Sequence, residues 1–231
     1  AAEGLEALPL ELADPASVAA CAEAALERTG GSLDALFNNA AFGQPGAVED
    51  LTVDVLKAQF EVNFFAWHDL TRRILPAMRA RGRGRIVQCS SVLGFISPPW
   101  RGAYNASKHA LEALSDAMRH ELAIIAPGIR VSIIEPGPID TRFLEHAIAA
   151  FRANVPLAGS AYGVEYETRL AAMERGGKQT WKLPPVAVAR KLVHAVESAR
   201  PKVRYYVTVP TYLAVIVKRL APASLLDAFV R

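Results

Sequence analysis

Tyr104 and Lys108 are the residues of this chain whose types and spacing best suit proton chemistry. They stand four residues apart in a helical pattern, so both side chains lie on one helix face, one turn apart. A phenol has an unperturbed pKa of about 10, and it is a weak acid or base near neutrality unless a nearby charge stabilises the phenolate. We therefore expect Lys108 to lower the pKa of Tyr104. Because so short a motif also arises by chance, its surroundings must decide its meaning.

Four more short motifs accompany this pair in a definite order. They are Asn38-Asn39-Ala40 after an apolar run, Asn63 inside a helical pattern, Ser90-Ser91 after Arg85-Ile86-Val87, and Pro136-Gly137 after Ile133-Ile134. In this order the five motifs resemble the short-chain dehydrogenase/reductase family. Within that family, the residues of the motifs are most similar to those of the branch that contains retinol and hydroxysteroid dehydrogenases and bacterial aldehyde reductases. The resemblance runs from about Glu11 to the C-terminus.

The resemblance implies a catalytic group of four side chains. In that group Ser91 holds the substrate oxygen, Tyr104 moves a proton, and Lys108 both tunes the tyrosine and binds ribose hydroxyls. Asn63 would kink its helix, so that a freed carbonyl holds a water in the proton relay. From the residues alone, Ser91 could simply cap a turn, and Asn63 could be an ordinary polar residue of a helix.

The resemblance also implies a nicotinamide cofactor, NADP or NAD, with a slight preference for NADP. It places an acidic side chain near the adenine, the asparagine motif near a ribose, and the proline-glycine loop around the nicotinamide. The cofactor-binding residues implied in this way are Glu11, Asn39, Ala40, Tyr104, Lys108, Pro136, Gly137, Ile139 and Thr141.

Strand and helix patterns alternate along the chain, which predicts an α/β fold with a doubly wound parallel sheet, Rossmann-like, in a single domain 1–231. The expected strands are 33–38, 85–89, 129–134 and 203–209, and the expected helices are 14–28, 53–79, 104–126 and 184–200. Between them, 143–183 has a weak pattern interrupted by glycines and is expected to be a variable substrate lid. Residues 210–231 form an amphipathic, basic extension that could cover the pocket, lie in a subunit interface or touch a membrane surface.

The family's opening turn, T-G-x-x-x-G-x-G, does not occur in this sequence. We therefore expect an N-terminally incomplete chain that starts just before the third strand and lacks about 40 to 55 residues. The first residues, 1–4, have neither an initiator methionine nor a signal-peptide pattern.

The composition of the chain argues against several kinds of binding partner. The net charge is only +3, and the basic cluster at 79–85 has no accompanying aromatic platform, so nucleic-acid binding is not expected. No segment reaches the roughly 20 apolar residues of a membrane span.

The two cysteines, Cys21 and Cys89, fit reduced positions in the core. No metal site is expected, because His109 and His120 have no further metal-binding residue at a suitable spacing.

These observations favour a cytoplasmic, NAD(P)-dependent enzyme that interconverts an alcohol and an aldehyde or ketone. An apolar loop at 95–100 follows Ser91 and suggests an apolar substrate, although ordinary loop packing explains it equally well. Small residues on the 104–126 helix suggest a homo-oligomer, a dimer or a tetramer. The alternative is a non-catalytic nucleotide-binding or scaffold protein on the same fold.

Overall fold

The computed structural model of the chain describes residues 4–175 and 181–230. Residues 1–3, which bear on the expectation of an N-terminally incomplete chain, lie outside the described residues. So do Gly176 and Gly177, two of the glycines expected to interrupt the lid.

Four parallel strands form one sheet in the order β1-β2-β3-β4. The strands are β1 Ala35–Asn38, β2 Gly84–Cys89, β3 Ile129–Glu135 and β4 Arg204–Tyr206. Neighbouring residues of β2 face opposite sides, since Ile86 packs with helices on one face and Val87 with a different helix on the other. Apolar runs of this kind are typical of parallel strands that are buried on both faces. The predicted α/β fold with a parallel sheet is confirmed.

Nine helices surround the sheet in the described residues. They are α1 Pro15–Arg28, α2 Val53–Phe60, α3 Ala66–Ala80, α4 Gly102–Ile125, α5 Phe143–Asn154, α6 Gly163–Arg175, α7 Val186–Glu197, α8 Val209–Leu220 and α9 Ala223–Val230. Helices α1, α3 and α4 pack on one face of the sheet, and α7 packs on the other.

Local signals account for several of these boundaries. Asp14 caps α1, because its carboxylate accepts the N–H of Ala16 at 2.9 Å, and Pro15 occupies the first turn, where its missing N–H costs nothing. The same helix ends before Gly30 and Gly31, which take φ values of +58° and +72°. Left-handed backbone of this kind is available to glycine at little cost.

The predicted helix over 53–79 is present but interrupted. A π-helical turn, Glu61–Phe65, joins α2 to α3 and contains the buried Asn63. Such a turn shifts the backbone hydrogen-bond register and commonly marks a functional position. The irregularity therefore lies at Asn63, where the family resemblance implies a kink.

The expected bounds of the last strand are wrong. Strand β4 is shorter than the expected 203–209, because Val209 already begins α8 with Pro210 in its first turn. No strand precedes β1 among the described residues, and residues 5–11 belong to no helix or strand. A segment becomes a strand only when a neighbour supplies ladder hydrogen bonds.

The expected lid and the C-terminal extension are both helical. Helices α5 and α6 of the 143–183 segment pack together, and Tyr166 of α6 contacts Ala47 and Asp50 with its hydroxyl. In the extension, Ala214 of α8 is fully buried in a cluster that includes Tyr104. The extension therefore packs beside Tyr104. Among the residues that the structure describes, no helix has the length and apolar character needed to cross a membrane.

Candidate active site

Ser91, Tyr104 and Lys108 lie together at the carboxyl end of the sheet. Ser91 follows β2 and caps a short 3-10 turn, Val92–Gly94, by accepting the N–H of Leu93 at 3.2 Å. Tyr104 and Lys108 occupy the first turns of α4, which packs against this turn and against β3. All three side chains are buried. Carboxyl ends of parallel strands are where open α/β sheets bind ligands, so the geometry suits an active site.

The expected lowering of the Tyr104 pKa is wrong for this structure. Burial raises the pKa of Tyr104 well above its ordinary value of 10, the Cys89 thiolate would raise it further, and a hydrogen bond with Ser91 and the charge of Arg101 only partly oppose this. Lys108, whose Nζ lies 5.7 Å from the centre of the phenol ring, is not among the groups that lower the Tyr104 pKa. Tyr104 is therefore protonated at neutral pH and can act as a proton donor.

Lys108 is held by groups other than Tyr104. Its Nζ donates to the Cys89 carbonyl at 2.8 Å and lies 4.2 Å from the centre of the Trp67 ring. Burial lowers the pKa of Lys108 from 10.5 to about 8, while negative charge on Cys89 or Glu112 would raise it. An ammonium has three N–H donors, and among the described residues this one has a single hydrogen-bond acceptor. The remaining donors fit the hydroxyls of a ribose.

Asn63 joins the π-helical turn to two other segments. Its amide Nδ2 donates to the Phe42 carbonyl at 2.9 Å and to Ser107 Oγ at 3.4 Å, while its Oδ1 accepts the Phe42 N–H at 3.2 Å. Asn63 is fully buried, and these contacts satisfy its amide. It therefore fastens the segment after β1 to helix α4. Its role in a proton relay stays a prediction.

The asparagine motif after β1 divides into structural and exposed residues. Asn38 is buried and donates to Thr71 Oγ1 and Gln88 Oε1, both at 3.0 Å, so its role is to join β1 to α3 and β2. Asn39 and Ala40 are exposed at the carboxyl end of the strand, and the Ala40 carbonyl accepts the Trp67 indole N–H at 3.0 Å. Asn39 and Ala40 are thus accessible to a ligand.

The proline-glycine loop after β3 contacts Ser91 and the residue that follows it. The Pro136 carbonyl accepts the Val92 N–H at 2.8 Å and lies 3.5 Å from Ser91 Oγ. At Gly137 a Cβ atom would stand 2.1 Å from Thr208 Oγ1, so only glycine allows this close packing. The loop is therefore held between the serine turn and the start of α8.

The remaining cofactor candidates differ in position. Ile139 forms an isolated parallel bridge with Leu183, and Thr141 is exposed, its Oγ1 accepting the Phe143 N–H at 3.3 Å. Glu11 is exposed, and its carboxylate accepts the N–H of Ala13 within its own turn. The described contacts of Ile139 and Thr141 thus stay with Leu183 and with the start of α5, whereas those of Glu11 stay beside α1.

Sequence reasoning missed an aromatic contact. The Phe143 ring, first in α5, packs edge-on against the Tyr104 ring with centroids 5.4 Å apart. It also lies against Gly43, where an added Cβ would stand 2.7 Å from the phenylalanine ring. Nothing in the weak 143–183 pattern marked Phe143, but an aromatic residue directly after the proline-glycine loop was a usable signal.

A cluster of charged residues was also missed. Arg204 of β4 bonds to Glu112 and Asp116, which follow Lys108 by one and two turns of α4, and to Glu135 at the end of β3. The four-residue steps from Lys108 to Glu112 and Asp116 were visible in the sequence. No group of three His, Cys, Asp or Glu side chains in the described part of the chain is arranged to hold a metal ion.

Comparison with known proteins identifies the same family. A family model described as short chain dehydrogenase matches residues 2–150. An uncharacterized oxidoreductase of Escherichia coli strain K12, YbbO, is 43% identical over 224 residues, covering 97% of this chain and 77% of that protein. An NADPH-dependent 3-dehydrocapnine reductase of Ornithobacterium rhinotracheale is 34% identical over 202 residues, covering 84% and 68%. A Burkholderia phymatum short chain dehydrogenase/reductase solved with NAD has a TM-score of 0.72 and 28% identity, covering 91% and 72%.

Proposed function

Since this chain belongs to the short-chain dehydrogenase family and is an NAD(P)-dependent oxidoreductase, we propose that it interconverts an alcohol and an aldehyde or ketone. The observation that carries the proposal is the burial of Ser91, Tyr104 and Lys108 together at the carboxyl end of the sheet. A binding module or scaffold has no need of a hydroxyl, a phenol and an ammonium in this arrangement.

Each of the three side chains has a distinct task in the reduction. Ser91 donates its hydroxyl to the carbonyl oxygen of the substrate, and Tyr104 gives that oxygen its proton. Lys108 donates to the ribose hydroxyls of the cofactor, and Asn39 and Ala40 lie near a ribose of the same cofactor. When bound, the nicotinamide supplies or accepts the hydride. Burial keeps the phenol protonated at neutral pH, so the proton that Tyr104 donates is present, although the same burial makes the phenol a weaker acid than an exposed tyrosine.

The nicotinamide end of the cofactor is assigned to the loop after β3. Pro136 and Gly137 would contact it through their backbone, and Ile139 and Thr141 lie further along the same loop. Glu11 stays the candidate for the adenine end. The Burkholderia phymatum protein binds NAD and the Ornithobacterium relative is named NADPH-dependent, so both cofactors enter the proposal, NADP with a slight preference.

An apolar substrate fits the surroundings of Tyr104. Leu93, Ile96 and Ala214 form a buried cluster with it, and Leu226 of α9 packs against this cluster. Phe143 covers another edge of the phenol ring. Apolar side chains around a few polar groups are typical of a small-molecule site. We place this activity in the cytoplasm.

Turnover with each cofactor tests the proposal directly. The protein is incubated with NADPH or NADH and a series of medium-chain aldehydes, and loss of the reduced cofactor is followed by absorbance. We expect turnover that improves as the apolar chain lengthens. Tight binding of a cofactor with no turnover across aldehydes, ketones and the reverse alcohols would favour the non-catalytic alternative.

A further inference from the structure

Behind the catalytic residues, one guanidinium joins three carboxylates from two other elements. Arg204 Nε donates to Glu135 Oε1 at 3.0 Å, and Nη2 donates to Glu112 Oε2 at 2.8 Å and to Asp116 Oδ2 at 2.9 Å. Glu112 lies one turn after Lys108 on α4, and Glu135 directly precedes Pro136. Arg204 therefore connects the catalytic helix to the strand that leads into the proline-glycine loop.

The second oxygen of each glutamate is buried without a donor. Glu112 Oε1 and Glu135 Oε2 have no hydrogen-bond partner among the described residues, and the residues are 8% and 1% exposed. Leaving two such anionic oxygens unpaired would be costly, because a buried carboxylate needs a hydrogen-bond donor or an opposite charge. Arg204 supplies one positive charge, and Asp116 also binds it. A proton bound to one of the two glutamates would therefore supply the donor that their unpaired oxygens lack.

A third unpaired group lies at the same place. Ser90 is 3% exposed, and its hydroxyl has no partner among the described residues. A Cβ on Gly94 would stand 2.6 Å from Ser90 Oγ and 3.2 Å from Glu112 Oε1, so both atoms pack on that glycine. The polar cluster thus extends to the residue next to Ser91.

We propose that Glu112 and Glu135 share one proton as a buried carboxyl–carboxylate pair, and that this pair positions the Pro136-Gly137 loop relative to Lys108. The two carboxyls lie within hydrogen-bonding reach of each other, so a proton on one can be donated to the other. The same proton removes one of the three negative charges that surround the Arg204 guanidinium. Burial first, and then the charge of Glu112, raises the pKa of Glu135, while Arg204 opposes the shift. This direction agrees with a carboxyl that stays protonated at neutral pH.

Other titratable groups face the pair from each neighbouring element. They are Lys108 and Asp116 of α4 and Arg204 and Tyr206 of β4, and behind these lie Cys89 of β2 beside Lys108, Arg119 of α4 beside Asp116, and Arg219 of α8 beside Tyr206. Asp116 has its pKa lowered overall by Arg204 and Arg119 despite the opposing effect of burial, so it is ionised at neutral pH. The proton therefore belongs to the two glutamates.

Infrared spectroscopy detects the shared proton without any activity. At about pH 7 the parent protein should show a carboxylic-acid C=O stretch, which ionised carboxylates do not give. Glu135→Gln and Glu112→Gln should each abolish the band, because either amide can donate to the remaining carboxylate. Glu23→Gln, an exposed glutamate of α1, is the control and should leave the band intact. Absence of the band in the parent protein would overturn the proposal.

Unfolding at several pH values gives a second readout. The native pair holds a proton that the unfolded chain releases above its ordinary glutamate pKa of 4.5. The free energy of unfolding should therefore fall as the pH rises from about 5 to about 8, and this fall should be smaller in both glutamine variants. A slope that is identical in the parent, Glu135→Gln and Glu23→Gln proteins would contradict a shared proton.

The positioning role rests on the proposed function and is tested by cofactor titration. Glu135→Ala removes the hydrogen bond and should weaken NADPH binding about tenfold, by analogy with the loss of other supporting groups. Glu135→Gln should restore binding to within about threefold. Equal affinity of the alanine and parent proteins would refute positioning while leaving the shared proton to the infrared result. If the parent protein binds neither cofactor, the positioning role and the proposed function fail together, whereas the infrared band still decides the proton.

Discussion

Replacing Lys108 with methionine should reduce cofactor binding and turnover without lowering the stability of the fold. Methionine has a similar length and no charge, so it removes the ammonium while still filling the space under Trp67. Burial lowers the pKa of Lys108 from 10.5 to about 8. At 1.36 kcal/mol per unit, this shift corresponds to about 3 kcal/mol by which the buried charge destabilises the fold at neutral pH.

The lost hydrogen bond offsets part of that gain. Without Lys108 the Cys89 carbonyl loses the donor that lies 2.8 Å away, and an unpaired buried carbonyl costs about 1 to 3 kcal/mol. We therefore expect Lys108→Met to be as stable as the parent protein or more stable, by about 0 to 2 kcal/mol near pH 7. Cofactor binding and turnover should both fall, because the donor to the ribose is gone.

The sign of the pH dependence follows from the lowered pKa. Below about pH 8 the lysine is charged in both states, so the parent protein bears the full cost of burial. Between about pH 8 and 10.5 the native lysine is neutral while the unfolded chain still binds the proton, so the stability of the parent protein rises. The advantage of Lys108→Met should therefore shrink as the pH rises through this window.

Urea unfolding followed by tryptophan fluorescence, at about pH 7 and about pH 9.5, measures both effects. Lys57→Met is the matched control, since Lys57 is exposed on α2 and should change stability little at either pH. The reasoning fails if Lys108→Met is less stable than the parent protein by more than about 1 kcal/mol at pH 7. It also fails if the difference between the two proteins is the same at both pH values.

Two further predictions concern the tyrosine and self-association. Tyr104→Phe should lower kcat by about 10²- to 10⁴-fold with cofactor affinity within a few-fold, because it removes a positioned acid and little else. Tyr212→Phe, at an exposed position of α8, is the control. A Tyr104→Phe protein that keeps a tenth or more of the parental kcat would show that Tyr104 is not the proton donor. The outer faces of α3 and α4 line a hollow of about 420 Å³ with Leu114 and Met118, and we propose that a second copy covers it. Sedimentation should show a dimer or tetramer at micromolar concentration, and only monomer across that range would count against the proposal.

Most of the elements that carry the site were predictable from local sequence. Tyr104 and Lys108 share a face because a helix places residues four apart one turn from each other, whatever surrounds them. Asp14 and Pro15 mark the start of α1 by their own hydrogen-bonding chemistry. The kink at Asn63 was implied by the family resemblance, because a single polar residue in an apolar stripe is also compatible with an unbroken helix. These features depend on neighbours within a few positions along the chain.

Only the tertiary structure decided the electrostatics of the site. The phenol of Tyr104 is desolvated by Phe143 and by the cluster of Ile96 and Ala214, which come from three distant segments. That desolvation reverses the pKa shift expected from the spacing of Tyr104 and Lys108, because the ammonium is directed to a backbone carbonyl instead. The Glu112–Glu135 pair likewise exists because β3, β4 and α4 meet at Arg204. Periodicity sets which face a side chain occupies, but burial and charge pairing depend on segments far apart in sequence, which no local pattern encodes.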